Sequence, residues 1–377
     1  MPSKTEPPAS EFEVIHEFVT AAKAKLKQGP WDYVMGGAET ETTLIRNRLA
    51  LDSLAFRPRV LRDVEHISAR ARFLGLDLRL PVILAPIGSI EDLIDGGAVV
   101  PSRAAARFAC RSGASANAEF GALHMLSSVA KPSLEDVAAS NDGPKLFQLY
   151  VRGDAGWIDD IVARVVASGY TALALTVDLD RYGRRERDTV NRFKPSSRAA
   201  AVNVRTHQER FNWADVERIK ARHKIPLILK GIATAEDAAE AVERGIDVVY
   251  VSNHGGRQLD HGKGTMAILP EVVAAVRGRA EIVVDGGFMR GTDIVKAMAL
   301  GANAVGFGKL QAMAGVAGGE AGLVRLLELL EDEVIRCLGL LGVKSYGELT
   351  PRHLEPIAPL TGRHGLTSAL PLLGEGY

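Results

Sequence analysis

The chain has 377 residues, 46% hydrophobic and 24% charged, with 46 Lys and Arg against 46 Asp and Glu. Zero formal charge and a pI near 7.1 disfavour a nucleic-acid protein, which shows a basic excess. No apolar run reaches the ~18 residues of a membrane span, and the polar start MPSKTEPPASEFE is no signal peptide. Cys110 and Cys337 alone allow neither a disulfide framework nor a four-cysteine metal site. These bounds predict a cytoplasmic globular protein with no metal, no nucleic acid and no membrane partner.

Residues 1–10 are polar and Pro-rich and read as a disordered lead-in. From Glu11 to about Lys27 apolar residues recur at helical spacing, and Gly29-Pro30 is expected to stop that helix. A second helix is expected around Ala38–Ala50, then a hairpin over Arg70–Leu80 with Gly75 in its turn. Residues 11–80 thus form an N-terminal extension packed on whatever follows.

After Pro81 the texture changes. Eight short apolar runs follow: VILAP (82–86), ALHML (122–126), LFQLYV (146–151), TALALTVD (171–178), PLILKG (226–231), VVYVSN (248–253), EIVVDGG (281–287) and AVGFGK (304–309). Uninterrupted runs are the signature of strands buried on both faces of a parallel sheet. Ser133, Asp154, Thr234 and Thr292-Asp293 read as helix starts between them. The fold class is therefore α/β, a (β/α)8 TIM barrel over residues 81–345 with an N-terminal helical extension and a C-terminal tail from 346. An open doubly wound sheet is the rival, but no G-x-G-x-x-G follows the first strand.

Barrel active sites sit at the C-terminal strand ends. There the sequence places Pro86-Ile-Gly88, Ser127-Ser128, Gln148-Leu-Tyr150, Thr176-Val-Asp178, Lys230-Gly231, SNHGGR (252–257), Asp285-Gly-Gly287 and Gly306-Phe-Gly308-Lys309. His254 suits acid/base work near neutral pH, and the planar fork of Arg257 matches a carboxylate. Together they suggest proton abstraction from a substrate held by its carboxylate. The two glycine-rich ends, DGG and GFGK, fit a phosphate held by backbone amides, with Lys309 adding charge. Lys230 ends a buried strand, where an ammonium needs an anion or loses its proton. A cofactor-ring anion is one reading and Schiff-base chemistry another. Asp178 is placed to hydrogen-bond His254.

In order along the chain, WDYVMGGAET (31–40), FRPRVLRDV (56–64), FQLYV (147–151), LTVD (175–178), GRRERD (183–188), LKGI (229–232), SNHGGRQLD (252–260) and DGGFMRGTD (285–293) resemble the FMN-dependent L-2-hydroxy acid oxidases and dehydrogenases. Glycolate oxidase, lactate oxidase, lactate monooxygenase and mandelate dehydrogenase belong to that family. The resemblance implies His254 as base, oriented by Asp178, with Tyr150 contacting the substrate hydroxyl. It implies Tyr33, Arg185 and Arg257 as the grip on the substrate carboxylate. For FMN it implies contacts from Ala85, Pro86, Gly88, Ser127, Gln148, Thr176, Lys230, Ser252 and Asp285, with Gly287, Arg290, Gly308 and Lys309 towards the phosphate. The implied reaction oxidises a small 2-hydroxy acid to the 2-keto acid, with oxygen or another acceptor taking the electrons, in a homo-oligomer that is tetrameric by resemblance. Hydride transfer and α-proton removal are both open. So are two other functions: non-oxidative or larger-substrate chemistry on an FMN barrel, and a catalytically silent flavin-binding protein.

Several departures from the family pattern stand out. Met289 replaces the first of two arginines, and Gly308-Lys309-Leu310 replaces a GRP. Gly88 stands where many oxidases carry Ala, and Val129 where glycolate oxidase carries Trp, which would widen the pocket. The stretch from Phe193 to Trp213 is a short lid, expected to leave the pocket more open. Residues Arg107–Glu119 read as an insertion.

Overall fold

The computed structural model describes residues 8–110, 119–199, 205–359 and 369–374. Eight parallel strands close a barrel: β1 (Val82–Leu84), β2 (Leu123–Ser127), β3 (Lys145–Leu149), β4 (Ala172–Thr176), β5 (Leu227–Ile232), β6 (Val248–Val251), β7 (Glu281–Val284) and β8 (Ala304–Phe307). Each strand pairs with the next, and β8 returns to β1 with Val305 opposite Val82. That closing pair excludes the open sheet.

The apolar runs split by alternation into two cores. Ile83, Leu123, Met125, Leu146, Ala172, Ala174, Ile228, Val248, Val283 and Ala304 fill the lumen together with Tyr250. Phe73 and Leu78 join that cluster from the hairpin Ala71–Phe73/Leu76–Leu78, which plugs the barrel's N-terminal end. Intervening residues such as Leu84, Leu126, Phe147, Leu173 and Leu175 face the helices instead. Each such side chain, fully buried, contributes about 1.5–3 kcal/mol. Ser133, Asp154 and Thr234 cap their helices by accepting from Asp136, Trp157 and Asp237 amides. The fourth start differs: the helix begins at Gly291, and the Asp293 carboxylate accepts from the Met289 and Arg290 amides.

The N-terminal extension departs from expectation in ways that matter for the site. Helix α1 spans Ile15–Lys25, and Gly29-Pro30 does not end the helical region. A further helix, α2 (Gln28–Met35), contains both residues. Pro30 lies in its first turn, where a missing N–H has no intrahelical partner to lose. Helix α3 runs Thr42–Asp52. The lead-in is ordered from Pro8, and Ala9 is buried against the final helix, Lys309–Leu341; residues 1–7 lie outside the described residues. In the tail, Leu354–Pro356 pairs antiparallel with Leu54–Phe56. The expected insertion begins as a turn of 3-10 helix, Phe108–Cys110; residues 111–118 lie outside the described residues.

Arg79 ties this periphery together. Its guanidinium is buried, pairs with Glu331 at 2.6 Å, donates to Phe108 O at 2.8 Å and lies 4.2 Å from the Phe108 ring. Glu331→Gln leaves that charge without its counterion. Denaturant unfolding of this variant is expected to show a loss of about 3–5 kcal/mol. Among the described residues no helix is long and apolar enough to cross a membrane.

Candidate active site

The loop after β6 carries SNHGGRQLD, and the N-terminal extension fixes its shape. His254 sits at φ +58°, a left-handed conformation uncommon for a side chain with a Cβ. At Gly256, φ is +75° and any Cβ would run into the Leu44 backbone, so only glycine lets α3 approach this closely. Asn47 and Asn253 exchange amide hydrogen bonds of 2.9 and 2.8 Å between α3 and the loop. Burial would raise the Asp260 acid. Hydrogen bonds from the Thr40 side chain and the Thr43 amide outweigh it and hold the group far below the usual carboxylate range.

His254 Nδ1 lies 3.1 and 3.2 Å from the two Asp178 oxygens, and its Nε2 lies 3.1 Å from the Tyr150 hydroxyl. The carboxylate can only accept, so the network assigns the proton to Nδ1 and leaves the Nε2 lone pair toward the cavity. Burial lowers the imidazole's proton affinity, with Lys230 and Arg185 acting the same way and Asp178 opposing them. The ring is therefore neutral at physiological pH, as a base must be. Burial alone would raise the Asp178 acid, but His254 and Lys230 bring it below its ordinary value. Burial pushes the Tyr150 phenol well up, so it stays protonated and can donate.

Gly231 makes this contact possible. It follows Lys230 at a register shift in β5, with φ +118°, and a Cβ there would come within 2.7 Å of the Asp178 Cβ. The sequence shows this glycine, but the need for it arises on the neighbouring strand.

Arg257 and Tyr33 meet from positions 224 residues apart in the chain. The guanidinium lies 5.1 Å from the Tyr33 ring, and its Nη1 donates to Tyr33 O at 2.6 Å and Gly36 O at 2.8 Å. Burial first, then neighbouring Arg185, lower its pKa to about 10, which keeps it cationic at neutral pH. The Tyr33 hydroxyl donates to Gly88 O at 2.8 Å. Arg185 is buried 5.0 Å over the Tyr182 ring, and its Nε has no hydrogen-bond partner among the described residues. Tyr33, Tyr150, Arg185, His254 and Arg257 all line one cavity at the barrel mouth.

The same cavity is lined by Ala85, Pro86, Gly88, Lys230, Asp285, Gly287, Gly308 and Lys309. Lys230 Nζ donates to Ser252 Oγ at 2.9 Å, Ser252 donates to Asp285 Oδ1 at 2.7 Å, and Lys230 stands 3.6 Å from Asp285 Oδ2. Ser127, Gln148 and Thr176 are buried at the ends of β2, β3 and β4, where Gln148 Nε2 donates to Thr176 Oγ1 at 2.9 Å.

A family model described as FMN-dependent dehydrogenase matches residues 22–356, which is most of the chain. The chain belongs to the FMN-dependent dehydrogenase family. It is 36% identical to glycolate oxidase 3 of Arabidopsis thaliana over 92% of this chain and 96% of that one. It is 38% identical to a peroxisomal (S)-2-hydroxy-acid oxidase of Oryza sativa subsp. japonica, covering 90% and 95%. Among solved structures, mandelate oxidase with (S)-2-phenylpropionate matches with TM-score 0.82 at 35% identity, covering 91% of this chain and 98% of the other. A mandelate oxidase mutant with the C4a-OH-FMN adduct matches with TM-score 0.79 at 36% identity, covering 90% and 98%.

FMN is the cofactor of this FMN-dependent dehydrogenase family member, and the residues present fit it. Gln148 Oε1 is a buried acceptor without a partner among the described residues, as a ring N–H would require. Around Gly308 nothing lies within 4 Å of where a Cβ would sit, so bulky phosphate oxygens can approach the backbone. Lys230 brings a buried cation to the same floor.

Two expectations for this family member need correction. Arg290 does not reach the cavity: its guanidinium pairs with Glu333 at 2.5 Å on the final helix. Lys309 lines the cavity, yet its Nζ donates to the carbonyls of Val34, Met35 and Gly36. Residues 200–204 of the expected lid lie outside the described residues, and its described start reaches the cavity. Ser196 and Ser197 amides donate to Asp92 Oδ2 and Ser89 Oγ, both at 2.8 Å, which seats Ser197 in the cavity wall. Ser89, Tyr182 and Ser197 were not singled out by the sequence; they gain their places through folding of distant loops. Val129 does line the cavity, and a Cβ on Gly88 would come within 2.9 Å of it.

Proposed function

We propose that this FMN-dependent family member oxidises an L-2-hydroxy acid to the 2-keto acid, with His254 as the base. The observation that carries the reading is the pairing at one mouth of a neutral imidazole, backed by Asp178, with the Arg257 guanidinium. Arg257, Arg185 and Tyr33 bind and orient the carboxylate. Tyr150 donates toward the carbinol oxygen, and His254 Nε2 takes the proton that leaves the substrate. Asp178 then stabilises the imidazolium, and Ser197 of the lid segment forms part of the cavity wall. FMN, when bound, supplies the acceptor for the two electrons. Lys230, buried on the floor, offsets negative charge arriving there.

The test is a visible spectrum of the purified protein, followed by anaerobic addition of L-lactate, glycolate, mandelate and longer 2-hydroxy acids. The expected result is a yellow protein that bleaches with at least one of them. A yellow protein that no member of the panel bleaches overturns the reading in favour of a silent flavin protein. Readmitting oxygen and assaying peroxide and carbon dioxide separates oxidase, monooxygenase and dehydrogenase. Light scattering on the same sample gives the oligomeric state.

The pH profile carries its own sign. Activity needs neutral His254, so kcat/KM falls as pH drops through its pKa. Burial places that pKa below the ordinary histidine value of 6.5. The acid limb of a kcat/KM profile is therefore expected on the acid side of an exposed histidine.

A further inference from the structure

We propose that Lys309 is a positioning residue for substrate capture: it holds Tyr33 in place by capping the C-terminal end of α2, and it is not a ligand of the cofactor phosphate. Its Nζ stands 2.9 Å from Val34 O, 2.9 Å from Met35 O and 3.2 Å from Gly36 O. An ammonium has three N–H donors, and three carbonyls take them. Arg257 Nη1 takes Tyr33 O and Gly36 O. Two buried basic side chains from the barrel, one after β6 and one after β8, thus cover four consecutive carbonyls at the end of one short helix; burial, then Arg257, lowers the Lys309 pKa, and Glu41 opposes them.

Those carbonyls are the ones a helix end leaves without partners, and a cation there also meets the negative end of the helix dipole. Among the described residues, Lys309 has no carboxylate within hydrogen-bond reach to explain its burial. Glu41, the acid that attracts it, is held by Arg187 Nη2 at 2.5 Å and by the Gly37 amide at 2.9 Å. The helix end is the partner. Tyr33 lies in that last turn, with its hydroxyl on Gly88 O and its ring against Phe193 at 5.7 Å. Moving the helix end therefore moves the phenol that faces the substrate.

This inference rests on the proposed function, because it assigns Tyr33 to the carboxylate grip. Bleaching of the wild-type protein tests that reading separately. The experiment for Lys309 compares wild type, Lys309→Met, Lys309→Gln and Lys309→Arg. FMN affinity is measured by fluorescence quenching on apoprotein, KM and kcat on FMN-saturated enzyme, and hydrogen exchange on peptides covering residues 28–36. The expected result for Lys309→Met is about tenfold faster exchange across the end of α2 and a KM about tenfold higher, with kcat and FMN affinity each changed less than about threefold. Lys309→Gln, which retains two donors, falls between, and Lys309→Arg restores KM. The proposal is overturned if FMN affinity falls by a larger factor than KM rises, or if exchange over 28–36 is unchanged. The exchange readout needs no substrate, so it decides even if no acid bleaches the flavin.

Discussion

His254→Asn is expected to slow anaerobic bleaching by the best 2-hydroxy acid by about 10²–10⁴-fold while the protein stays yellow. Asparagine suits this test because its short polar side chain tolerates the left-handed backbone that His254 occupies at φ +58°. The loop can then keep its hydrogen bonds to α3 and its hold on the cavity floor. What is lost is the Nε2 lone pair, since an amide oxygen is far too weak a base. The flavin spectrum reports an intact fold, so a slow rate cannot be blamed on an empty site. Stopped-flow absorbance gives the rate constant directly. A variant that bleaches within tenfold of wild type would falsify the assignment and move attention to Tyr150, 3.1 Å away.

The barrel and the heart of the site could be read from the sequence because both are written locally. Buried parallel strands are continuous apolar runs, and their C-terminal ends are the first polar residues after each run. That rule places His254, Arg257, Asp178, Lys230 and Asp285 around one mouth, and the cavity contains four of them in its wall with Asp178 directly behind His254. Where the reading failed, the deciding partner was remote. Gly29-Pro30 looks like a stop, yet a first turn tolerates both residues, and α2 with Tyr33 follows from it. The direction taken by Arg290 depends on Glu333 in the last helix, and that of Lys309 on carbonyls near the start of the chain. A long flexible cation has several rotamers within reach, and periodicity does not choose among them. The seat of Ser196 and Ser197 depends on Asp92 and Ser89 accepting from their amides, a matching of two loops that neither loop's composition announces.

Asp178→Asn should cost about 10²–10⁴-fold in kcat/KM with FMN still bound, and the reason is the tautomer. The carboxylate accepts from Nδ1–H and so forces the lone pair onto Nε2. A carboxamide can donate to Nδ1 instead, which would put the proton on Nε2, facing the substrate in the wrong state. Its neutral charge also removes the group that favours the imidazolium, so the His254 pKa falls further and the acid limb of the pH profile moves to lower pH. The two effects separate the role from simple misfolding: a damaged structure lowers the rate but has no reason to shift the limb in that direction. Gly231→Ala tests the same contact without touching either charge. Its methyl would enter the space held by the Asp178 side chain, 2.7 Å from Cβ and 2.8 Å from Cγ, so the carboxylate must retreat from Nδ1. The expected outcome is a loss in the same direction as Asp178→Asn, and little further loss when the two are combined, because the second change removes an interaction the first has already broken. Full additivity in that double mutant would mean that Gly231 acts through Lys230 and the floor of the cavity, not through the histidine pair.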